Sequence, residues 1–555
     1  MTRIWLKEYQ QGVPSDINPD LYNSIPEILT PSFKKYASHP SFTSFGTTFT
    51  YEKIHTQALK FAAFLQKDLG HKPGDRIALM MPNVLQYPIC IFGALYAGMT
   101  IVNVNPLYTG RELQYQLKDS GAETIVIFAN AAATLQTIVK DTPIKNIITT
   151  EIGDLLNFPK NILINFVLKH VKKMVPAYSL ANEISIQTAF ESRTTQDFTP
   201  VTIKNTDIAF LQYTGGTTGV SKGAILTHRN MISNLLQAKA WLDPVIEDGK
   251  EVIITALPLY HIFSLTANCF TFSFVGGHNI MITNPKDIPG FIKELSRWKF
   301  STITGVNTLF RALMNDPKFS QLDFSKLKIS LGGGMAVQKA VAVEWKQKTG
   351  TPLIEAYGLT ETSPAACINP LNIPEFNGCI GVPISSTEVK ILDDNGNELP
   401  IGESGEICIR GPQVMAGYWK KPEETEKVMT RDAFFKSGDI GFMNEKGFVK
   451  IMDRKKDMIL VSGFNVYPNE IEDLLATHPK VLEVAAIGVA DEKSGEVVKV
   501  FVVKRDSSLT DDELIRFSRE NLVGYKVPKS VEFRDSLPKS NVGKILRKDL
   551  RDGAK

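Results

Sequence analysis

Residues 213–223 read YTGGTTGVSKG, and this stretch decides how the chain is interpreted. Its glycines, hydroxyl side chains and one ammonium group provide many hydrogen-bond donors with little side-chain bulk, a composition suited to wrapping a polyphosphate. The apolar run at 208–211 predicts a buried strand before the loop, and a helical pattern begins near Asn230. Because phosphates bind at strand-to-helix loops in α/β proteins, the pattern predicts a phosphate-binding loop.

This loop differs from the P-loop of many ATPases. The P-loop reads G-x-x-x-x-G-K-[ST], whereas here Lys222 follows Ser221 and precedes Gly223. A flexible hairpin rich in glycine and threonine is the alternative that the stretch alone leaves open.

Further motifs follow the loop in a fixed order. They are LPLYH at 257–261, YGLTET at 357–362, SGD at 437–439 with DRKKD at 453–457, and PKSNVGK at 538–544. Together with the loop, this set resembles the adenylate-forming superfamily of acyl-CoA synthetases, peptide-synthetase adenylation domains and luciferases. The resemblance runs from Trp5 to about Arg551. In stretches such as 103–113 and 453–473 the sequence is similar to bacterial long-chain-fatty-acid–CoA ligases.

Composition excludes several other classes of protein. The 62 basic and 59 acidic residues are too evenly balanced for a nucleic-acid binder that relies on a global basic field. The five cysteines are scattered without a CxxC pair, which argues against a zinc site or a disulfide framework and fits a reducing cytoplasm. The N-terminus lacks the apolar segment of a signal peptide, and no apolar run is long enough to span a membrane. We therefore expect a cytoplasmic protein.

Hydrophobic patterning predicts the fold class. Apolar runs typical of buried strands alternate with helical spacing, which argues for parallel sheets covered by helices. The predicted strands are 76–80, 123–128, 252–256, 301–304 and 352–356, and the predicted helices are 86–97 and 111–120. From about 387 short strands with turn signals at 393–397 and 444–447 predict a β-rich subdomain. The last part has strand patterns at 483–490 and 498–503 and a helical pattern near 511–522.

The resemblance implies the matching domain plan, the α/β adenylate-forming enzyme fold. Residues 1–452 would form a large N-terminal domain of two α/β subdomains plus the β-rich subdomain at about 387–452. Residues 453–555 would form a small, mobile α+β C-terminal domain, with Asp453 as the hinge between them.

The resemblance also implies a nucleotide site. Thr214, Thr217, Thr218 and Lys222 would contact the β- and γ-phosphates, and Tyr357 would offer its flat face to adenine, with the glycines at 332–334 allowing close approach. Asp439 would accept from both ribose hydroxyls, and Arg454 would assist at the ribose or phosphate. The implied ATP- and AMP-binding residues are Thr214, Gly215, Gly216, Thr217, Thr218, Gly219, Lys222, Gly333, Gly334, Tyr357, Gly358, Thr360, Asp439 and Arg454.

The implied chemistry is activation of a carboxylic acid. A carboxylate is a poor acyl donor because oxide is a poor leaving group, and conversion to acyl-AMP supplies a good one. Positive charge and oriented donors must then hold two anions head to head. Lys544 would bridge the carboxylate and the α-phosphate; a solvated surface lysine is the alternative.

Magnesium is the implied cofactor, because a hard carboxylate such as Glu361 suits Mg²⁺. Thr217 is the second implied ligand, and a structural charge at a helix N-terminus is the alternative role of Glu361. The resemblance gives Lys544, Glu361, Thr217 and His261 as the catalytic set, although a packed core histidine remains the alternative for His261.

Other residues are assigned to the acyl and CoA sides. The implied acyl pocket contains His261, Phe263, Gly305 and Val306. After adenylation the C-terminal domain would rotate about Asp453, so that Lys544 leaves and the loop at Ser462, Gly463 and Phe464 faces the site for CoA.

One segment points to a membrane. At 162–175 helical spacing places Leu163, Phe166, Val167, Val171 and Met174 on one side and three lysines on the other. This predicts a helix lying on an anionic membrane surface. An ordinary surface helix packed on the protein is the alternative.

The functional hypothesis is an ATP-dependent long-chain fatty acid–CoA ligase that feeds fatty acid degradation or lipid synthesis. Its partners would be fatty acid, ATP, CoA and the cytoplasmic face of the membrane, with a homodimer left open and no nucleic acid. The alternatives are a medium-chain acyl-CoA synthetase, a free-standing adenylation enzyme that loads a carrier, and a binding protein without activity. The presence of Lys222, Glu361, Asp439, Arg454 and Lys544 argues against the last.

Overall fold

The computed structural model describes residues 3–214, 221–540 and 543–553. The predicted loop residues Gly215, Gly216, Thr217, Thr218 and Gly219 therefore lie outside the described residues.

The first large sheet of the described chain has nine strands, with a parallel centre and antiparallel strands at both ends. Their order across the sheet is β16 (Val382–Pro383), β15 (Ala365–Ile368), β14 (Leu353–Gly358), β13 (Ile329–Gly332), β12 (Thr302–Gly305), β10 (Val252–Thr255), β11 (His278–Met281), β1 (Pro40–Ser44) and β2 (Thr47–Thr50).

The second large sheet, of eight strands within the described ranges, is also parallel at its centre. Its order is β19 (Gly417–Tyr418), β9 (Lys222–Thr227), β8 (Ile208–Thr214), β4 (Thr100–Asn103), β3 (Arg76–Met80), β5 (Thr124–Phe128), β6 (Asn146–Thr150) and β7 (Glu183–Ser185). The centre of this sheet is almost entirely buried, as its unbroken apolar runs require.

Two smaller sheets follow in the described C-terminal part of the chain. The four-stranded one is antiparallel, with the order β17 (Glu388–Leu392), β18 (Gly405–Arg410), β20 (Phe435–Met443) and β21 (Val449–Arg454). The five-stranded one has the order β23 (Phe464–Val466), β22 (Ile459–Val461), β25 (Gly495–Lys504) and β24 (Val481–Asp491), with β26 (Ser530–Phe533) on β25.

Helices cover the sheets. They are α1 (Ile25–Lys35), α2 (Tyr51–Lys67), α3 (Gln86–Tyr96), α4 (Gly110–Ser120), α5 (Ala129–Ile138), α6 (Lys160–Phe166), α7 (Ile186–Glu191), α8 (His228–Leu242), α9 (Thr271–Phe274), α10 (Ile288–Leu295), α11 (Asn307–Asn315), α12 (Lys339–Thr349), α13 (Pro422–Val428), α14 (Pro468–Leu475), α15 (Asp511–Asn521) and α16 (Arg547–Asp552). No helix in the described residues is long and apolar enough to cross a membrane.

Local sequence explains where these helices begin and end. Helix α4 starts at a capping box in which Thr109 and Glu112 satisfy each other's backbone N–H groups, and it ends at Gly121, whose φ is 69°. Helix α3 carries no charged residue and is buried all round, which suits a helix packed between layers. Signals of this kind confirm the predicted α/β class, with two large mixed sheets, a β-rich unit and a small α+β unit.

The predicted strand-to-helix loop was wrong in its second half. Residues 222–227 form strand β9, which pairs antiparallel with β8 so that Lys222 lies opposite Thr214. Helix α8 begins only after β9, at His228, behind a capping box of Thr227 and Asn230. Ala224 and Leu226 are buried in β9, and the helix starts within two residues of the predicted position near Asn230.

The amphipathic helix predicted at 162–175 was too long and was wrongly expected to be continuous. Helix α6 ends at Phe166, and a π-helical turn covers Val167–Val171. No residue of either segment is fully buried. Ile164 packs against the core, whereas Leu163, Phe166 and Val171 remain exposed. Without burial against a core, helical spacing alone does not hold a long helix in water.

Candidate functional site

The predicted site residues converge because their motifs follow parallel strands. The ends of β10, β12, β13 and β14 lie on one edge of the nine-stranded sheet, and the motifs LPLYH, Gly305–Val306, Gly333–Gly334 and YGLTET come directly after or at these ends. The carboxyl ends of parallel strands form the usual ligand crevice of α/β proteins.

A cavity of ≈ 1560 Å³ opens at this edge, between the two large sheets and the C-terminal part of the chain. The predicted residues that line it are Thr214, Lys222, His261, Phe263, Val306, Gly333, Gly334, Tyr357, Gly358, Thr360, Glu361, Asp439, Asp453, Arg454 and Lys544. Five motifs separated by hundreds of residues thus meet around one space. Gly305, Ser462, Gly463 and Phe464 do not line it.

Asp439 stands at one end of the cavity, fully buried. Tyr357 donates its hydroxyl to Asp439 Oδ2 at 2.6 Å, and Arg454 Nε lies 2.6 Å from Oδ1. The antiparallel pairing of β20 with β21 sets Asp439 opposite Arg454. Burial, followed by the nearby Asp439 carboxylate, raises the pKa of Tyr357, so its hydroxyl stays a donor. A carboxylate already oriented in this way is suited to accept hydrogen bonds from a diol.

Glycines are required on the wall beside Tyr357. A side chain at Gly333 would come within 3.0 Å of the Ala356 carbonyl and of the Phe263 ring, and Gly334 has a φ of 77°. At Gly358 a Cβ would lie 1.8 Å from the Pro364 carbonyl oxygen. These close approaches leave a flat backbone surface against which a planar ring can lie.

Glu361 is a buried carboxylate held by a tyrosine that the motifs did not indicate. Tyr418 Oη donates to Glu361 Oε1 at 2.7 Å, and both residues line the cavity. Burial raises the pKa of Glu361, while the Tyr418 hydrogen bond opposes that shift. Tyr418 reaches this position because β19 pairs with β9, the strand that begins at Lys222.

Lys222 lies beside the same tyrosine. Its ammonium is 5.0 Å from the centroid of the Tyr418 ring and forms an ion pair with Glu424 on α13. Neither Tyr418 nor Glu424 belongs to a recognisable motif in the sequence. Only the pairing of β19 with β9 brings them to the loop.

Lys544 enters the cavity from the far end of the chain. Thr308 donates its hydroxyl to the Gly543 carbonyl oxygen at 2.9 Å, and Ser540 Oγ accepts from the Lys544 N–H at 3.1 Å. Burial, followed by the charge of Arg454, lowers the pKa of Lys544 to about 8. The ammonium is therefore charged at neutral pH but poorly solvated, as a group awaiting an anion would be.

His261 lies close enough to Lys544 for the charge of its ammonium to affect the imidazole. Burial, followed by the charge of Lys544, lowers its pKa to about 4. The imidazole is consequently neutral at pH 7, and Nδ1 accepts a hydrogen bond from the Phe263 N–H at 3.3 Å. Its Nε2 has no hydrogen-bond partner among the described residues and is suited to act as a neutral hydrogen-bonding group toward a ligand.

The apolar part of the cavity lies beyond His261. Phe263 and Val306 line it as expected, whereas Gly305 is covered by Phe310, whose ring would lie 2.9 Å from an added Cβ. Phe272, one of the phenylalanines that follow His261 in the sequence, also lines the cavity, and further apolar lining comes from residues that the sequence did not single out: Trp241, Leu242, Ile329, Leu331 and Leu371. This wall is suited to an alkyl or aryl group.

Asp453 lies within strand β21 rather than in a loop, and its carboxylate is fully occupied. It accepts from Arg547 Nη1 at 2.9 Å and from the Asn469 N–H at 2.8 Å. Arg547 also binds Glu472 and Asn469, and these contacts place α16 beside the Lys544 segment. The role of Asp453 as a hinge remains a prediction.

The loop at 462–464 lies apart from the cavity in this conformation. Ser462 and Gly463 have φ values of 51° and 84°, and Phe464 is 55% exposed. The Phe464 ring stacks on Tyr525 with 4.7 Å between centroids. Its assignment to the CoA side remains a prediction.

Comparisons with known proteins agree over the full length. The family model described as AMP-binding enzyme matches residues 29–419, and the model of the AMP-binding enzyme C-terminal domain matches 470–544. A long-chain-fatty-acid–CoA ligase of Yersinia pestis is 56% identical over 552 residues, covering 100% of this chain and 98% of the relative. One from Haemophilus influenzae is 50% identical, with 100% and 98% covered.

Solved structures share the fold. ATP-bound MatB from Rhodopseudomonas palustris superposes with a TM-score of 0.82 at 26% identity, covering 97% of this chain and 99% of that one. The anthranilate CoA ligase AuaEII, in complex with anthranoyl-AMP, gives 0.86 at 24% identity, covering 97% and 98%.

Glu355 is a further buried carboxyl on the cavity wall that the motifs did not indicate. It accepts from the Val337 N–H at 3.0 Å, and burial raises its pKa to about 8. The unfolded chain ionises this carboxyl at an ordinary pKa, so the folded protein loses stability as the pH rises from about 4.5 to about 8, by at most about 1.4 kcal/mol per pH unit.

Replacement of Glu355 by glutamine keeps the acceptor for Val337 and removes the titration. We expect the stability of Glu355→Gln relative to wild type to increase steadily from pH 5 to pH 8, measured by urea unfolding at pH 5, 6.5 and 8. Glu375→Gln, at a side chain that is 80% exposed, is the matched control and should show no such trend. A stability difference that does not vary with pH would contradict the assignment.

Proposed function

This chain belongs to the family of AMP-binding enzymes, and on that premise we propose that it is an ATP-dependent long-chain-fatty-acid–CoA ligase. The fatty acid attacks the α-phosphate of ATP to give acyl-AMP and pyrophosphate, and the thiol of CoA then displaces AMP to give acyl-CoA. The observation that carries this proposal is the match to long-chain-fatty-acid–CoA ligases at 50–56% identity over the whole chain.

The cavity supports a specific division of roles. We assign the ribose to Asp439, the adenine to the flat wall of Tyr357 and Gly333, and the polyphosphate to the loop that ends at Lys222. Lys544 then reaches the junction of carboxylate and α-phosphate, where its ammonium stabilises the charge that develops as pyrophosphate leaves. His261 stays neutral and orients the carboxylate.

The residues present fit a magnesium ion. Glu361 offers a carboxylate in the cavity whose only side-chain donor in the described chain is Tyr418. No cluster of three or more His, Cys, Asp or Glu side chains that could hold a metal exists among the described residues, so a cation here would take further ligands from phosphate and water. When bound, Mg²⁺ neutralises charge on the phosphates; Thr217, the other proposed ligand, lies in the undescribed loop.

The second half-reaction requires access for CoA. We propose that the part of the chain from Asp453 onward rotates about this residue, which withdraws Lys544 and brings 462–464 to the cavity. Two features support the proposal: Asp453 ends the region of the four-stranded sheet, and the left-handed backbone at Ser462 and Gly463 presents an exposed, short loop.

Chain length would be selected by the apolar wall. Each buried methylene contributes about 0.8 kcal/mol, so a tunnel six carbons deeper favours the longer acid by about 5 kcal/mol. Medium-chain acids and amino acids destined for a carrier are the competing substrates.

Pyrophosphate release separates these substrates. Purified protein is assayed with palmitate, octanoate, acetate and an amino acid, each with and without CoA. We expect the highest kcat/KM for palmitate, little release with acetate, and sustained turnover only when CoA is present. Release with the amino acid alone, or turnover that is indifferent to CoA, would overturn the proposal.

Lysine 544 is tested by separating the two half-reactions. Lys544→Ala should lower the rate of acyl-AMP formation by about 10²–10³, because a charge contact of the transition state is lost. Conversion of supplied acyl-AMP to acyl-CoA should be largely retained. Lys529→Ala, at an exposed lysine that does not line the cavity, is the control and should leave both rates unchanged. Equal losses in both half-reactions of a folded Lys544→Ala protein would show that the role is wrong.

We also propose that the segment 158–174 contacts an anionic lipid surface. Its apolar side chains are exposed: Phe158 79%, Ile162 63%, Leu163 59%, Phe166 56%, Val171 65% and Met174 52%. Lys169, Lys172 and Lys173 are exposed beside them. Each lysine near an anionic membrane contributes about 1 kcal/mol, and the substrate itself partitions into lipid.

Vesicle flotation tests this contact. The protein should float with phosphatidylglycerol-containing vesicles at low salt and less so at high salt, because the lysine contribution is screened. Phe166→Glu should abolish flotation, whereas Ile401→Glu, at a residue that is 52% exposed elsewhere, should not. Absence of flotation at both salt concentrations would contradict the proposed lipid contact. A concentration-dependent dimer that Phe166→Glu dissociates would show instead that this surface binds a second copy of the chain.

A further inference from the structure

Glu424 forms an ion pair with the ammonium of Lys222, the group that the proposed function assigns to the phosphates of ATP. Its Oε2 accepts from Lys222 Nζ, and its Oε1 accepts from Lys427 Nζ at 2.6 Å. Lys222, Lys427 and Glu424 all line the cavity. A carboxylate with two ammonium partners reproduces the environment that a phosphate oxygen would find there.

The fold holds Glu424 in this position from both sides. Tyr418 N–H donates to Thr425 Oγ1 at 2.9 Å, and the Trp419 N–H donates to the Gly223 carbonyl oxygen at 2.8 Å. These bonds connect the segment before α13 directly to the residue after Lys222. The backbone segments that carry Glu424 and Lys222 are therefore held next to each other, so that the two side chains can meet.

The ion pair between Glu424 and Lys222 can also open and close. About a third of each side chain is exposed, 30% for Lys222 and 32% for Glu424, so water can replace either partner when the pair opens. An exposed ion pair of this kind is worth only about two- to fivefold in an equilibrium constant. The hydrogen bond from Lys222, followed by that from Lys427, lowers the pKa of Glu424 to about 2, so the carboxylate is charged throughout the working range of pH.

We infer that Glu424 is an internal substitute for phosphate: it holds the Lys222 ammonium until the β- and γ-phosphates of ATP displace it, and it takes the ammonium back when pyrophosphate leaves. The inference rests on the proposed function, in which Lys222 contacts those phosphates. Glu424 is thus a positioning residue that weakens the binding of ATP and pyrophosphate and leaves AMP, which has neither phosphate, unaffected.

Glu424→Gln tests this role against a matched control. Glu423 lies next to it on α13, is exposed and forms no ion pair within the described chain, so Glu423→Gln removes the same charge without touching Lys222. Binding of α,β-methylene-ATP, pyrophosphate and AMP is measured by calorimetry with magnesium, for wild type, both variants and Glu424→Ala. The thermal midpoints confirm that each protein is folded.

We expect Glu424→Gln and Glu424→Ala to bind α,β-methylene-ATP and pyrophosphate about two- to fivefold more tightly than wild type, with AMP unchanged. In steady state KM for ATP should fall without an increase in kcat. Glu423→Gln should match wild type for all three ligands.

Three outcomes would overturn the inference. They are unchanged or weaker binding of α,β-methylene-ATP by both Glu424 variants, equal tightening for AMP, or equal tightening by Glu423→Gln. Formation of AMP from ATP with oleate and CoA is followed in the same proteins. If AMP formation persists while the affinity for α,β-methylene-ATP is unchanged in the Glu424 variants, only the role of Glu424 is wrong. If the wild type itself forms no AMP, the proposed function is wrong instead.

Discussion

The insertion of the Lys544 ammonium into a cavity lined by residues from 103 to 551 is the constraint on which the site depends. Desolvation of this charge is unfavourable, and it lowers the pKa of Lys544 to about 8. Lys544 nevertheless stays in the cavity, because Thr308 and Ser540 hydrogen-bond to the backbone of Gly543 and Lys544. A ligand with several negative charges would relieve the penalty, so the cavity is electrostatically prepared for one.

Several charged groups elsewhere in the cavity already have partners. Asp439 is held by Arg454 and Tyr357, and Glu361 by Tyr418. Asp453 is likewise held by Arg547. Buried charges require such pairing. Binding of a nucleotide is then an exchange of internal partners for those of the ligand, which lets the site orient its groups in advance without leaving any of them unpaired.

Much of this arrangement could be predicted from the sequence. Continuous apolar runs identify buried parallel strands such as 76–80 and 124–128, because both faces of these strands are covered. Since ligand sites in such sheets lie at the carboxyl ends of strands, the ordered motifs also located most of the cavity wall. Gly305 does not line the cavity, because the Phe310 ring lies against it, and strand position alone does not show this contact.

The remaining features depend on contacts between distant parts of the chain. Lys222 and Glu424 are 202 residues apart, and Tyr418 reaches Glu361 only because β19 joins the edge of β9. No local pattern encodes such an edge pairing. The early end of the helix near Phe166 has a similar origin, since its spacing is amphipathic but Leu163 and Phe166 stay exposed and only Ile164 of its apolar side chains packs against the core in the described chain.

The fate of the α-phosphate tests the central claim most directly. Purified protein is incubated with ATP labelled at the α-phosphate and with oleate, in the absence of CoA. The account predicts that the label appears in enzyme-bound oleoyl-AMP in equal amount to the pyrophosphate released, and that added CoA converts it to free AMP. Label recovered as ADP, or ATP left unconsumed by folded protein, would contradict it.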